Sequence, residues 1–184
     1  MKSYKILNKQ IFHSGIFSLV PIRFQDRFDI MNWRNEQIYH LRQDKPLTIK
    51  SQDIYFNTVI SNLFEQEQPN QILFSMLEND KCVGYGGLVH INWIDKNAEI
   101  SFIMDTDLEE EYFHSYWTMF LEMIENLAFG ELNLHKLYVY AFDLRPNLYD
   151  VLLASNYFRD AVLNNHSYFK GRYIDVVIHS KLKK

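Results

Sequence analysis

With one cysteine, four prolines and six glycines among 184 residues, the chain has little of what builds disulfide scaffolds, proline-rich tails or glycine-rich linkers. The lone Cys82 excludes an internal disulfide and a multi-cysteine metal site, and within an apolar run it reads as a small core side chain in a reducing cytoplasm. Basic charge is also short. Nineteen Lys and Arg against 23 Asp and Glu give a net charge of -4, with none of the positive field that draws a protein onto nucleic acid. No apolar run approaches the roughly 18 residues that suggest a membrane span, and the N-terminus carries no export pattern, so a cytoplasmic location is expected. A phosphate loop of the GxxxxGK type, a His-x3-His pair and a facing carboxylate cluster are all missing, so no metal is expected.

What the chain does have is apolar and aromatic mass. Hydrophobic residues make up 47% and aromatics 16%, enough for one well-packed domain over residues 1–184. Its centre is residues 73–105, which read as three antiparallel strands separated by polar turns at 78–81 and 94–97. Gly84, Gly86 and Gly87 interrupt the middle strand and predict a bulge or a close backbone approach. In the third strand, alternation puts Ala98, Ile100, Phe102 and Met104 on one face and Glu99, Ser101 and Ile103 on the other.

The remaining segments wrap this meander. Residues 5–7 and 16–22 read as a strand pair around Gly15, and Asp26 as the cap of a helix through Trp33. Thr48 or Ser51 caps a second helix reaching Phe64. Asp105, Thr106 and Asp107 offer caps for a long helix with Met119, Phe120, Met123, Ile124, Leu127 and Ala128 on one stripe, which Gly130 interrupts or ends. Residues 137–142 form a strand, 148–155 a short helix, and 157–158, 161–163 and 173–180 strand edges with a turn at 170–172. The fold class is α+β: a mostly antiparallel twisted sheet flanked by helices, with a right-handed parallel crossover from the Glu99 strand to the Tyr138 strand.

The order of these parts resembles the GCN5-related N-acetyltransferase superfamily, more closely its branch of ribosomal-protein N-terminal and amino-sugar enzymes. The resemblance spans about Ile16 to Leu182. It rests on Trp33-Arg34-Asn35, Val83-Gly84-Tyr85-Gly86-Gly87-Leu88, Ala98-Glu99-Ile100-Ser101-Phe102, the segment 128–137, Arg145-Pro146-Asn147 and Gly171-Arg172-Tyr173-Ile174-Asp175. It implies a sheet splayed between two central strands, acetyl-CoA as cosubstrate, acetyl transfer to the primary amine of a small molecule, and room for a homodimer. A nucleotide-linked amino sugar is the implied acceptor, with a protein N-terminus second.

Carried over residue by residue, the resemblance implies that the backbone of Phe102, Ile103 and Met104 holds the pantetheine arm and that Asn147 bonds it too; an N-cap is the structural role open to Asn147. The family's diphosphate loop, Gln or Arg followed by spaced glycines, is matched here by residues 112–117, Tyr-Phe-His-Ser-Tyr-Trp. Trp117 stands where glycine is expected, and Glu109, Glu110 and Glu111 precede it. His114 and Ser115, with Tyr116, are then the side chains left to bond phosphate. The tyrosine some relatives use as acid is matched by Ala154, which leaves Tyr149 or Ser155 as the substitute.

Amine acetylation needs a base for the nucleophile's proton. Glu99 is the expected base, acting through water, or else an ion-paired strand residue. His90 lies near the acceptor as a second candidate or as a hydrogen-bonded structural histidine. Arg34 suits an acceptor phosphate or a helix-end ion pair, and Tyr85 suits stacking on a sugar or base, or core packing. The altered loop also suits a binding or regulatory module that keeps the fold without catalysis.

Overall fold

The computed structural model describes residues 2–184. Strands β1 (Phe12–Ser14) and β2 (Phe17–Pro21) open the chain, followed by helix α1 (Arg27–Glu36). A longer helical rod then runs through α2 (Ile49–Tyr55), a π-helical turn at Phe56–Ile60 and α3 (Ser61–Glu65). The meander is β3 (Ile72–Glu78), β4 (Lys81–Asn92) and β5 (Asn97–Met104). Helix α4 (Thr106–Glu125), β6 (Lys136–Phe142), α5 (Pro146–Ala154), β7 (Phe158–Phe169) and β8 (Arg172–Leu182) complete it.

All eight strands join one sheet in the order β1-β2-β3-β4-β5-β6-β8-β7. Every pairing is antiparallel except β5 with β6, which is parallel, as a helical crossover requires. That parallel pairing is short: Asn97, Ala98 and Glu99 meet Lys136, Leu137 and Tyr138, and then the strands part. The sheet is therefore forked at its centre.

The alternation in β5 places Phe102 on α4, where its ring stacks on Phe120 at 4.1 Å and meets Trp117 edge-on at 5.0 Å. Gly86 of β4 lets β5 come close: a Cβ there would lie 2.2 Å from the Ser101 carbonyl oxygen and 2.8 Å from the Phe102 Cα. Thr48 caps α2, its side chain exchanging hydrogen bonds with Ser51 as a capping box, so the two cap candidates work together.

Several expectations need correction. Residues 5–7 form no strand; Phe12–Ser14 is the partner of β2, because Gly15 (φ +57) makes the turn directly between them. Asp26 does not cap α1. Its carboxylate is ion-paired with Arg23 at 2.7 Å, and a 3-10 turn at Phe24–Asp26 leads into the helix. The separate edges at 157–163 are one 12-residue strand, β7, long because it pairs with β8 as a twisted ribbon with two bulges, while Tyr157 stays outside it. Gly130 sits inside a π-helical turn, Asn126–Glu131, that ends the α4 rod. Among the described residues, no helix is long and apolar enough to cross a membrane, and no three metal-ligating side chains gather.

Candidate active site

The fork between β5 and β6 opens into a cleft of about 560 Å³. Beyond Glu99, the β5 backbone groups that face β6 have no strand partner. Ile100, Ser101, Phe102 and Ile103 line one wall, Val139, Tyr140 and Ala141 the other. Such a wall suits an extended amide chain, which can bond along it as an added strand.

Glu99 lies at the crotch of the fork with its side chain 6% exposed. One carboxylate oxygen accepts from Arg42, and the other lies 2.9 Å from His90 Nδ1. A bulge in β4 between Val89 and Asn92 brings His90 there, with φ at +49° in the left-handed region that histidine tolerates better than most residues. A carboxylate only accepts, so in this contact Nδ1 is the donor, and in the neutral form of the ring Nε2 is then an acceptor. The His90 side chain is 62% exposed, so Nε2 is open to an incoming group.

Arg42 bridges the fork. It bonds Glu99 on β5 while its guanidinium lies 4.6 Å from the centre of the Tyr140 ring on β6. Arg34, at the end of α1, is fixed by Tyr85 Oη at 2.5 Å and by Gln43 Oε1 at 3.0 Å. Tyr85 is buried and its hydroxyl is engaged by Arg34, so its role is to hold the arginine and not to stack on a ligand. Among the described lining residues, Glu99 is the one carboxylate, against Arg34, Arg42 and Arg145.

The outer end of the cleft differs. Helix α4 starts at Thr106, one residue after β5, and the Asp105 carboxylate caps it by accepting from the Asp107 amide. Residues 112–117 are thus mid-helix, not a loop, and their amides are spent on the helix ladder. His114 is exposed, Ser115 donates to the Tyr112 carbonyl at 2.9 Å, and neither lines the cleft. Trp117 does line it, filling the space a glycine would leave open.

A polar belt ties this end together. Thr106 donates to Glu36, and Gln37 Nε2 donates to the Thr106 hydroxyl and to the Met104 carbonyl at 2.8 Å. His40 contacts Gln37, Arg145 contacts His40, and Arg145 is ion-paired with Glu109. Burial, with Arg145 beside it, pushes the His40 imidazole down to about 3, so it is neutral near pH 7. Burial also raises the Glu109 carboxyl against the pull of Arg145.

The cleft thus brings Glu99, His90, Arg34, Phe102 and Ile103 together and leaves six of the expected residues aside, the buried Tyr85 among them. Met104 is fully buried outside the lining, its carbonyl taken by Gln37. His114 and Ser115 face away because the helix absorbs their segment. Asn147, exposed in the first turn of α5, neither caps it nor reaches the cleft; Arg145 holds the cap position without a side-chain bond. Tyr149 lies in a second cavity, donating to Asp143 at 3.0 Å and stacked on His179, and burial raises its hydroxyl far above the ordinary range. Arg42, His40, Arg145 and Tyr140 escaped the sequence reading as site residues. Only the Arg-Pro-Asn segment gave any signal, and only for Arg145.

No curated protein matches the chain by sequence. Among solved structures, a spermidine N-acetyltransferase from Vibrio cholerae in complex with CoA and spermine superposes with a TM-score of 0.78 at 18% identity, covering 92% of this chain and 97% of that one. A dodecameric form of the same enzyme in an intermediate state gives 0.75 at 18%, covering 92% and 95%. A probable acetyltransferase gives 0.75 at 18%, covering 94% and 97%. None of these is described as a ribosomal-protein or amino-sugar enzyme. The family model for the acetyltransferase (GNAT) domain matches residues 19–178, and the chain belongs to that family of N-acetyltransferases, whose acetyl donor is acetyl-CoA.

Proposed function

We propose that the protein transfers acetyl to the primary amine of a phosphate-bearing acceptor, a nucleotide-linked amino sugar first, with His90 as base and Glu99 as the residue that positions it. The observation that carries this is the line from Arg42 through Glu99 to His90, which spends both Glu99 oxygens and leaves Nε2 free. The base expected at Glu99 therefore moves one residue outward. Arg42 holds the Glu99 carboxylate in place, and Glu99 fixes the imidazole tautomer.

The amine nitrogen bonds to the thioester carbonyl carbon as the carbon–sulfur bond breaks. The proton shed by the nitrogen goes to His90 Nε2, and the sulfur leaves as thiolate and takes a proton from water. The unpartnered β5 backbone keeps the donor's amide arm in line with the crotch, where His90 faces the acceptor.

The acceptor's charge follows from the lining. Of the three arginines in the lining, Arg42 is paired with Glu99 and Arg145 with Glu109, while Arg34 bonds only the neutral Gln43 and Tyr85 among the described residues. Spermidine, the substrate named for the V. cholerae neighbours, brings only positive charge and would be repelled. A phosphate finds a planar, preoriented donor in Arg34. Self-assembly is part of this reading, since the edge strand β7 exposes Phe158 and Tyr168 and one neighbour is dodecameric. A cytoplasmic setting supplies such acceptors.

The test is a product assay: purified protein, acetyl-CoA, and in separate reactions a nucleotide-linked amino sugar, a peptide with a free N-terminus, and spermidine, read by mass spectrometry and thiol release. Transfer to the amino sugar with spermidine inert is expected. Spermidine as the preferred acceptor overturns the acceptor assignment. No product with any amine sinks the catalytic reading in favour of a fold kept for binding alone.

A further inference from the structure

A CoA molecule seated by its diphosphate needs free amides and no excess negative charge where α4 begins, since unpaired N–H groups and the helix dipole are what hold such a group. In this chain the Asp107 and Leu108 amides are already engaged, and the charge around them is negative. The connection from β5 to α4 is a single residue, Asp105, whose own carboxylate occupies the Asp107 amide. The Thr106 hydroxyl is bonded to Glu36 and Gln37. Asp107 and Glu109 add negative charge in the first turn, and Glu110 and Glu111 follow. Arg145, the cation nearest this helix end among the cleft-lining residues, is already paired with Glu109 and packed over the Phe113 ring at 4.9 Å. Its side chain is 12% exposed, so freeing it for a phosphate means breaking a nearly buried ion pair.

The inner stretch of the same cleft shows the opposite condition. The β5 backbone between Glu99 and Met104 lacks a strand partner on the β6 side, and the cleft there is open. An amide chain as long as pantetheine has bonds to make along it, and a diphosphate beyond has none.

We infer that the protein recognises its acyl donor by the pantetheine thioester arm alone, and that the nucleotide diphosphate of CoA adds no affinity. The inference rests on the donor named in the proposed function, a pantetheine thioester, and not on the acceptor. It follows that any pantetheine thioester is an equivalent donor, whatever its far end carries, provided that end stays clear of the acidic start of α4.

Calorimetric titration of the full chain with CoA, with pantetheine and with adenosine 3′,5′-bisphosphate tests this. CoA and pantetheine are expected to bind within about tenfold of each other, with the bisphosphate undetected at millimolar concentration. The Glu109→Gln variant, which releases Arg145, is expected to raise CoA affinity about tenfold and leave pantetheine unchanged, since one charge-assisted phosphate contact is gained. Asp107→Asn, at an exposed position outside the bridge, is expected to move CoA affinity in the same direction by less. CoA binding more than about tenfold tighter than pantetheine, or displaced by the bisphosphate, overturns the inference. Absence of binding by both overturns it together with the donor of the proposed reaction. Equal binding without acetyl transfer to any amine leaves the inference standing and removes the proposed reaction alone.

Discussion

The two ends of one cleft are built from similar groups and do opposite things with them. At the inner end, Arg42, Glu99 and His90 form a chain that terminates in an open nitrogen, because the β4 bulge swings His90 out to 62% side-chain exposure. At the outer end, Glu36, Thr106, Gln37, His40, Arg145 and Glu109 bond to one another and to the Met104 carbonyl, and the ion pair that finishes the belt is 12% and 19% exposed. Polar residues placed at a helix start do not make an anion site when their hydrogen bonds are satisfied among themselves. They make a closed end, whereas the inner end keeps a residue with an unspent valence.

Removing that unspent group is the strongest way to break the contrast. His90→Gly keeps the backbone content at φ +49° while deleting the base, and kcat in the acetyl-transfer assay should fall by about 10²- to 10³-fold with donor binding unchanged. Imidazole added to the reaction should restore part of the rate, a response that a purely structural His90 would not show. Glu99→Gln should lower kcat less, because a neutral amide still holds one oxygen toward Nδ1.

The fork itself is the next target. Gly86→Ala drives a methyl into the Ser101 carbonyl, so β4 and β5 must separate, and urea unfolding should show a loss of about 2–4 kcal/mol. An unchanged midpoint would mean the two ends do not depend on a tightly paired β5. At the acceptor side, Arg34→Met should raise KM for a phosphate-bearing acceptor about tenfold and spare kcat, the signature of lost ground-state binding.

The mildest test addresses the closed end through pH. Folding holds His40 neutral, pushed down to about 3 from the ordinary 6.5, so the unfolded chain takes up this proton first as pH falls below 6.5. Stability from this group drops with falling pH at a slope approaching about 1.4 kcal/mol per pH unit. Glu109, raised by burial, works in the opposite sense from its ordinary 4.5 upward, so the imidazole's share is read as the difference from a chain that keeps Glu109 and lacks His40. Urea midpoints at pH 7, 6 and 5 should fall more steeply for the native chain than for His40→Gln. Equal slopes would show that the belt is not closed around a neutral imidazole.

The sheet was legible because its signals are local. Turn residues at 78–81 and 94–97, the glycines of β4 and the alternation of β5 each act within a few residues, and the α4 stripe repeats with helical spacing. Reading failed where one signal admits two structures. The family resemblance matches the segment 112–117 to a loop, yet its residues are compatible with helix, and Asp105 offers a cap earlier. Tyr149 had the right chemistry at an unverifiable position, and the turn into α5 aims it at His179 instead of the cleft.

By itself, then, the sequence determined the strand order of the meander, the crossover and the core stripe of α4, because these follow from periodicity and residue chemistry over short spans, while Glu99 and His90 entered as separate candidates through the family resemblance. Only the tertiary structure decided which of their atoms are free. Arg42 lies 57 positions from Glu99 and Arg145 lies 36 from Glu109, separations at which no pattern links the partners. Whether a carboxylate is a base, an anchor for one or half of a closed ion pair depends on which distant side chain folding brings to it.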